Sequence, residues 1–372
     1  MQLSVIILNY NVRYFLEQCV LSVQKALEDI DGEIIIIDNA SSDDSCEMMK
    51  TKFPHIKLIE NAANLGFPKG NNIGVAQAKG DYVCILNPDT VVAEDTFSKI
   101  LNTKNWQLNI GIIGCKLIDG AGNFLPESKR GVPTPWVAFT KIFGLYKISN
   151  YFGKYYAQHL SENESGKVDI LVGAFMMMKR ELYLKVGGFD ENCFMYSDDI
   201  DLSYLVLKTG KSNYYFHETS VIHYKGESTV RDGTYMKRFR EAMQFFYKKH
   251  FNKSWFFDVM MQVGSFVFSL LKKNQQKNEV RIIEEYVIFS KGNLRINLPQ
   301  KTTYLSDFNQ FVNQQQKNIE IIFDTTTFSF AEIITFMQLN KSKNLSFKNY
   351  ISSSNYLIGS NNSNDRGQII LL

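Results

Sequence analysis

The sequence has few cysteines, and their spacing suits no shared task. Cys19, Cys46, Cys84, Cys115 and Cys193 are scattered, odd in number and form no Cys-x-x-Cys pair. That argues against a zinc ribbon or a disulfide framework and fits a reducing compartment. Charge of one sign is also scarce. Lys and Arg total 41 against 38 for Asp and Glu, and the resulting +3 gives no reason to expect nucleic acid as a partner. No basic segment precedes the apolar run that begins at the amino terminus, so no signal peptide is visible and a cytoplasmic protein is expected. No internal repeat is found. No Ser/His/Asp or Cys/His nucleophile arrangement stands out, and no glycine- and arginine-rich loop follows the first strand-like run.

What is present reads as a globular chain. At 372 residues it is long enough for one large unit and a smaller one, and 45% hydrophobic against 21% charged residues is ordinary. The 28 Phe and 19 Tyr suit sugar or lipid contacts and equally an ordinary core. Residues 4–8 (SVIIL), 33–38 (EIIIID), 57–60 and 81–86 (DYVCIL) are short strand-like runs. Phe15, Leu16, Cys19, Val20 and Val23 lie at helical spacing between the first two, and residues 70–78 are helical between the last two. Such alternation predicts a parallel α/β sheet, whose functional positions sit at the carboxyl ends of the strands. Here those ends read Asn9-Tyr10-Asn11, Asp38-Asn39-Ala40-Ser41 and Asn87-Pro88-Asp89, all polar.

The later chain changes character more than once. Residues 126–156 lose periodicity, as a functional loop or a disordered one would. Strand character returns over 168–178. Beyond Gly233, Tyr235, Met236, Phe239, Ala242, Met243 and Phe246 mark one helix face. Residues 255–271 are strongly apolar, with Asp258, Gln262, Ser265 and Ser269 on one stripe. They are short for a full span, and read as an interfacial helix or as a buried core helix. After a polar linker at 272–278, residues 279–372 predict a small α/β unit, with strands near 286–290, 320–324 and 355–358 and a helix at 330–339. The expected units are 1–232, 233–278 and 279–372.

Several polar groups invite chemistry, each with a plainer alternative. Asp38 at a strand end can accept from a base-edge N–H of a pyrimidine imide, or cap the next helix. Asp89, fixed behind Pro88, suits a hard divalent cation bridging a diphosphate, and Asn-Pro-Asp is also good turn chemistry. Asp198, Asp199 and Asp201 crowd like charges, which raises at least one pKa, or they form an acidic helix start. His223 follows a strand-like run and can complete a metal site begun by Asp89, or be structural.

Read together, the stretches SVIILNYN, EIIIIDNASSDDS, NLGFPKGNNIGVAQAKGDYVCILNPDT, VGAFMMMKRELYLKVGGFDENCFMYSDDIDL and VIHYKGEST resemble, in that order, family 2 glycosyltransferases of the GT-A fold, in the rhamnosyltransferase-like branch. The resemblance covers roughly residues 1 to 230. It implies a nucleotide-sugar-binding mixed sheet flanked by helices; the amphipathic, membrane-associating helices expected over 233–278 and the small carboxy-terminal unit follow it. It also implies an inverting, single-displacement transfer from a uridine- or thymidine-diphosphate sugar to a glycan hydroxyl in cell-surface polysaccharide assembly, on a lipid-linked acceptor at the inner membrane surface. Asp38 would then bind the nucleobase, with Asn9, Asn11, Asn64, Gly66, Asn71 and Asn87 completing the donor pocket. Asp89 and His223 would hold manganese or magnesium, and Asp199 would be the catalytic base. Asn87 stands where the family has the first Asp of its Asp-x-Asp motif, Asp198 where Glu is usual, and Pro68-Lys69 where small residues are frequent. Two rival classes are a catalytically weak glycan- or nucleotide-binding scaffold and a sugar nucleotidyltransferase.

Overall fold

A computed structural model describes residues 1–107, 109–134, 136–137, 140, 150–194, 196–224, 233–251, 282–313, 317–361 and 367–372. The amino-terminal part alternates strand and helix. β1 (Leu3–Asn9), β2 (Gly32–Asp38), β3 (Lys57–Glu60) and β4 (Tyr82–Leu86) are joined by α1 (Arg13–Ala26), α2 (Ser45–Lys52) and α3 (Gly66–Ala76). Every residue of β1 is buried, as expected of a strand covered on both faces, whose sequence runs continuously apolar. β1 pairs in parallel with β2 and β4, a register that sets Asn9 beside Asp38. α3 can lie close on these strands because Gly74 has no side chain: a Cβ there would stand 2.5 Å from both Ile6 and Ile37.

The chain continues through β5 (Thr90–Val91), α4 (Thr96–Leu101), β6 (Ile110–Ile118), β7 (Gly166–Val168), β8 (Phe175–Lys179), α5 (Arg180–Lys185), α6 (Asp198–Lys208) and β9 (Ser212–His223). The sheet order is β3-β2-β1-β4-β8-β6-β9-β5, with β7 as a ninth strand on β9. β8 runs antiparallel between β4 and β6. The sheet is therefore mixed, not parallel throughout as alternation alone suggested. The strand expected over 168–178 is also two strands, because the backbone between them has other partners. Ile170 exchanges hydrogen bonds with Arg130, and the Gly173 N–H donates to Asp199.

Next comes α7 (Gly233–His250). Near its end, Met243, Phe246 and Tyr247 join Ile170 and Ile200 in one buried cluster. At these positions protein covers the apolar face that the periodicity marks. Residues 255–271 and the boundaries expected at 232 and 278 lie outside the described residues. Among the described residues no helix is long and apolar enough to cross a membrane.

The second sheet is built from β10 (Glu285–Phe289), β11 (Lys301–Leu305), β12 (Ile319–Asp324), β13 (Leu345–Ile351), β14 (Tyr356–Gly359) and β15 (Gln368–Leu371), with α8 (Phe330–Leu339) between β12 and β13. Its order is β11-β10-β12-β13-β14-β15. The two sheets share one apolar cluster, in which Phe15, Val91 and Ile222 meet Phe330, Ile333 and Phe347.

Candidate active site

The carboxyl end of β1 and β2 forms a compact polar turn. Asp38 is buried, and three hydrogen bonds converge on it. Asn9 Nδ2 donates to Oδ2 at 2.7 Å, Ser41 Oγ to Oδ2 at 2.7 Å, and the Ser41 N–H to Oδ1 at 2.7 Å. The Cys46 thiol also faces this carboxylate; burial, with the carboxylate's charge added, pushes the thiol's pKa up. Asp38 folds its own turn and does not cap the next helix; Asp43 holds the Ser45 N–H there instead. Asn11 and Ala40 both adopt left-handed backbone, at φ 56° and 59°. Non-glycine residues held that way gather at functional loops. Asn11 Oδ1 accepts from the Ser42 N–H at 2.6 Å, which ties the two loops together.

Asn64 and Gly66 close the pocket's next side. Asn39 Nδ2 donates to Asn64 Oδ1 and to Gly66 O. Gly66 has φ 82°, and a Cβ there would meet Phe194 at 2.8 Å. Asn71 donates to Phe67 O. Its Oδ1, like that of Asn9, is buried without a hydrogen-bond partner.

A second cluster lies past β4. Thr90 of β5 pairs with His223 at the end of β9, and this pairing draws distant segments together. His223 Nε2 stands 3.4 Å from Asp89 Oδ1 and 3.5 Å from Asn87 Nδ2. Asn87 Oδ1, Asp89 Oδ1 and His223 Nδ1 are buried and take part in no hydrogen bond. Orphaned buried polar atoms are rare. The carboxylate of Asp89 and the imidazole of His223, side by side with the Asn87 amide next to them, are ligand types that suit a divalent cation. Among the described residues no group of three His, Cys, Asp or Glu side chains forms a metal cluster, so the carboxylate share rests on Asp89 alone.

The acidic start of α6 divides its charges among three environments. Asp199 Oδ2 accepts from Arg130 Nη2 at 2.5 Å and from the Gly173 N–H at 3.0 Å. Asp201 accepts from Lys249 Nζ at 2.8 Å and pairs with His250 Nε2 at 2.5 Å, tying α6 to the end of α7. Asp198 makes no ion pair among the described residues. Burial, with the charge of Asp199 added, pushes its carboxyl up to about 7.

The Glycosyl transferase family 2 model matches residues 4–187. The chain belongs to glycosyl transferase family 2. It is similar to the N-acetylglucosaminyl-diphospho-decaprenol L-rhamnosyltransferase of Mycobacterium tuberculosis, with 26% identity over 241 residues, 62% of this chain and 78% of that protein. It is also similar to rhamnosyltransferase WbbL of Escherichia coli, with 27% identity over 222 residues, 54% of this chain and 78% of that one. Among solved structures, a Pyrobaculum calidifontis mannosyltransferase in complex with GDP-Man and Mn2+ covers 74% of this chain and 76% of its own, at 16% identity and a TM-score of 0.48.

The matched region of this glycosyltransferase takes in Asn9, Asn11, Asp38, Asn64, Gly66, Asn71, Asn87 and Asp89, and stops short of Asp199 and His223. Sequence reading missed the partners that hold these groups. Arg130 is buried, and besides Asp199 it donates to Leu171 O at 3.1 Å. Its neighbour Lys129 is buried too, donating to the carbonyls of Tyr156, Ala157 and Leu160. A Lys-Arg pair followed by glycine, in a segment without periodicity, was the available signal. Ser41 was marked only as part of a polar strand end, and Gly173 gave no signal.

Proposed function

We propose that this glycosyltransferase moves a sugar, with inversion, from a uridine- or thymidine-diphosphate sugar to a hydroxyl of a lipid-linked glycan. The observation that carries this reading is the cluster of Asn87, Asp89 and His223, with its unpartnered buried atoms, beside the polar turn of Asn9 and Asp38. Asp89, His223 and the Asn87 amide would hold a divalent cation, manganese or magnesium. When bound, it supplies charge neutralisation for the departing nucleotide diphosphate.

The chain's own residues account for the rest. Asp38 is the acceptor proposed for the imide N–H of uracil or thymine. Asn9 Oδ1 and Asn71 Oδ1 offer further buried acceptors to the nucleoside. Asp199 is the proposed base. Arg130 and the Gly173 N–H hold Oδ2, fixing the carboxylate while Oδ1, which makes no hydrogen bond among the described residues, takes the acceptor's proton as that oxygen attacks the anomeric carbon. A lipid-linked acceptor would bring the enzyme to a membrane surface, and the apolar sequence of residues 255–271 is the segment proposed to meet it.

Support comes from the family match and from the two rhamnosyltransferase relatives, one of which is named for a diphospho-decaprenol substrate. The test is competition binding of nucleoside diphosphates in the presence of Mn2+. Uridine or thymidine diphosphate should bind tightest, and Asp38→Ala should weaken it by about 1–3 kcal/mol, the cost of a hydrogen bond to a charged group. A preference for guanosine or cytidine diphosphate would remove the assignment of Asp38.

A further inference from the structure

The second sheet reaches just behind three segments of the proposed donor and metal site, those that carry Asp89, His223 and Asn9–Asn11. Glu94 lies beyond Asp89 and β5. Its two oxygens accept from the backbone N–H groups of Phe330 and Ala331, at 2.8 and 2.9 Å. Those residues open α8, where free amides and the helix dipole favour a carboxylate. Ser329 and Glu332 complete a capping box of α8's own, so Glu94 supplies acceptors that the helix would otherwise lack.

Tyr224 follows His223 directly. It is buried, and its N–H donates to Asp89 O at 3.0 Å. Its ring stands edge-on to Phe15 at 5.2 Å, and Asn349 of β13 donates to its hydroxyl at 3.4 Å. The loop Asn9-Tyr10-Asn11 is held in the same way through the first turn of α1. Tyr356 Oη donates to Tyr14 O at 2.9 Å, with the two rings 4.9 Å apart. Ser354 Oγ donates to the fully buried Glu17 at 2.6 Å.

A unit that was only tethered would leave these groups to water. Here the buried carboxylate of Glu17, and the amides that open α8, would lose hydrogen bonds if the second sheet moved away. The fit extends to the backbone: a Cβ on Gly122 would meet Met337 O at 2.3 Å. We infer that the carboxy-terminal sheet is part of the donor site's scaffold. Through Glu94, Tyr224 and Tyr14 it fixes where Asp89, His223 and the Asn9–Asn11 loop stand relative to one another. The inference rests on the donor and metal reading proposed above. Glu94 and Tyr356 are positioning residues, since neither belongs to the proposed donor or metal contacts.

The test uses the full chain carrying Glu94→Gln with Tyr356→Phe, and Tyr356→Phe alone should the double variant fail to fold. Tyr304→Phe is the control, because among the described residues its hydroxyl bonds only to Ile296 within the second unit. Two readouts are taken: hydrogen exchange over residues 9–14, 89–94 and 220–224, and titration of uridine diphosphate with Mn2+. The expected result is faster exchange in all three segments and roughly tenfold weaker Mn2+-dependent binding, as small misplacements of a site produce, with the control unchanged in both. A lowered melting temperature with unaltered exchange and affinity would show a merely structural interface and overturn the inference alone. Wild-type protein that binds neither uridine nor thymidine diphosphate with Mn2+ would overturn the donor reading and this inference with it.

Discussion

At Asp199 and Asp198, adjacent carboxylates have different surroundings and therefore different expected behaviour. Asp199→Asn keeps the size of the side chain and removes its basicity. Turnover should fall ~10²–10⁴-fold, the usual share of general-base catalysis, while Mn2+-dependent donor binding stays near wild type. Near-normal turnover would show that another group takes the proton. Asp198 tests the electrostatics through stability. Its folded pKa of about 7 lies above the ordinary 3.8, so between those values the folded state binds more protons than the unfolded one. Stability from this group therefore falls as pH rises through that window, and the full penalty applies above it. Asp198→Asn removes the penalty. Urea denaturation should find the variant close to wild type at pH 4 and more stable at pH 8, by on the order of 1–4 kcal/mol. A pH-independent difference would mean that Asp198 is not held neutral.

Among the elements, α3 sets propensity against packing. Gly74→Ala should gain roughly 1 kcal/mol of helix propensity. The new methyl would meet the fully buried Ile6 Cγ2, which is branched at Cβ on a strand and cannot swing aside. Overpacking costs about 1–3 kcal/mol, so a net loss of stability is expected in thermal melts; a gain would show that α3 can shift. α7 was legible as an amphipathic helix, but what covers it was not. Periodicity marks an apolar face without naming the neighbour, and Met243 and Phe246 turned out to meet α6 and Ile170. The same limit applies to the acidic cluster. Its place at a helix start could be read from the sequence, but the partners Arg130, Lys249 and His250 come from segments far away in the chain. Asp201, buried against the last two, acts as a fastener. Asp201→Asn should therefore cost stability, roughly 1–3 kcal/mol for a pair open to solvent on the lysine side, before it touches the chemistry.

Across the whole molecule, the positions of Asn9, Asp38 and Asp89 could be read directly, because strand ends in an α/β sheet are marked by polar residues after apolar runs. Asp89 and His223 were expected together, but what joins them needed the structure, since it is the two-residue strand β5, too short to leave a pattern. If residues 255–271 meet lipid, Phe266→Ser with Phe268→Ser should abolish co-sedimentation with anionic liposomes; wild-type protein that ignores such liposomes would assign that stretch to a protein contact. The central claim, metal-assisted transfer from a nucleotide-diphosphate sugar, is tested most directly by identifying the phosphorylated product released from uridine- and thymidine-diphosphate sugars, with Mn2+ and with excess chelator. Wild-type protein with Mn2+ should release free nucleoside diphosphate, and the release should be lost both in chelator and in Asp89→Ala. Nucleoside monophosphate with sugar 1-phosphate as the products, or undiminished turnover in chelator, would contradict the claim.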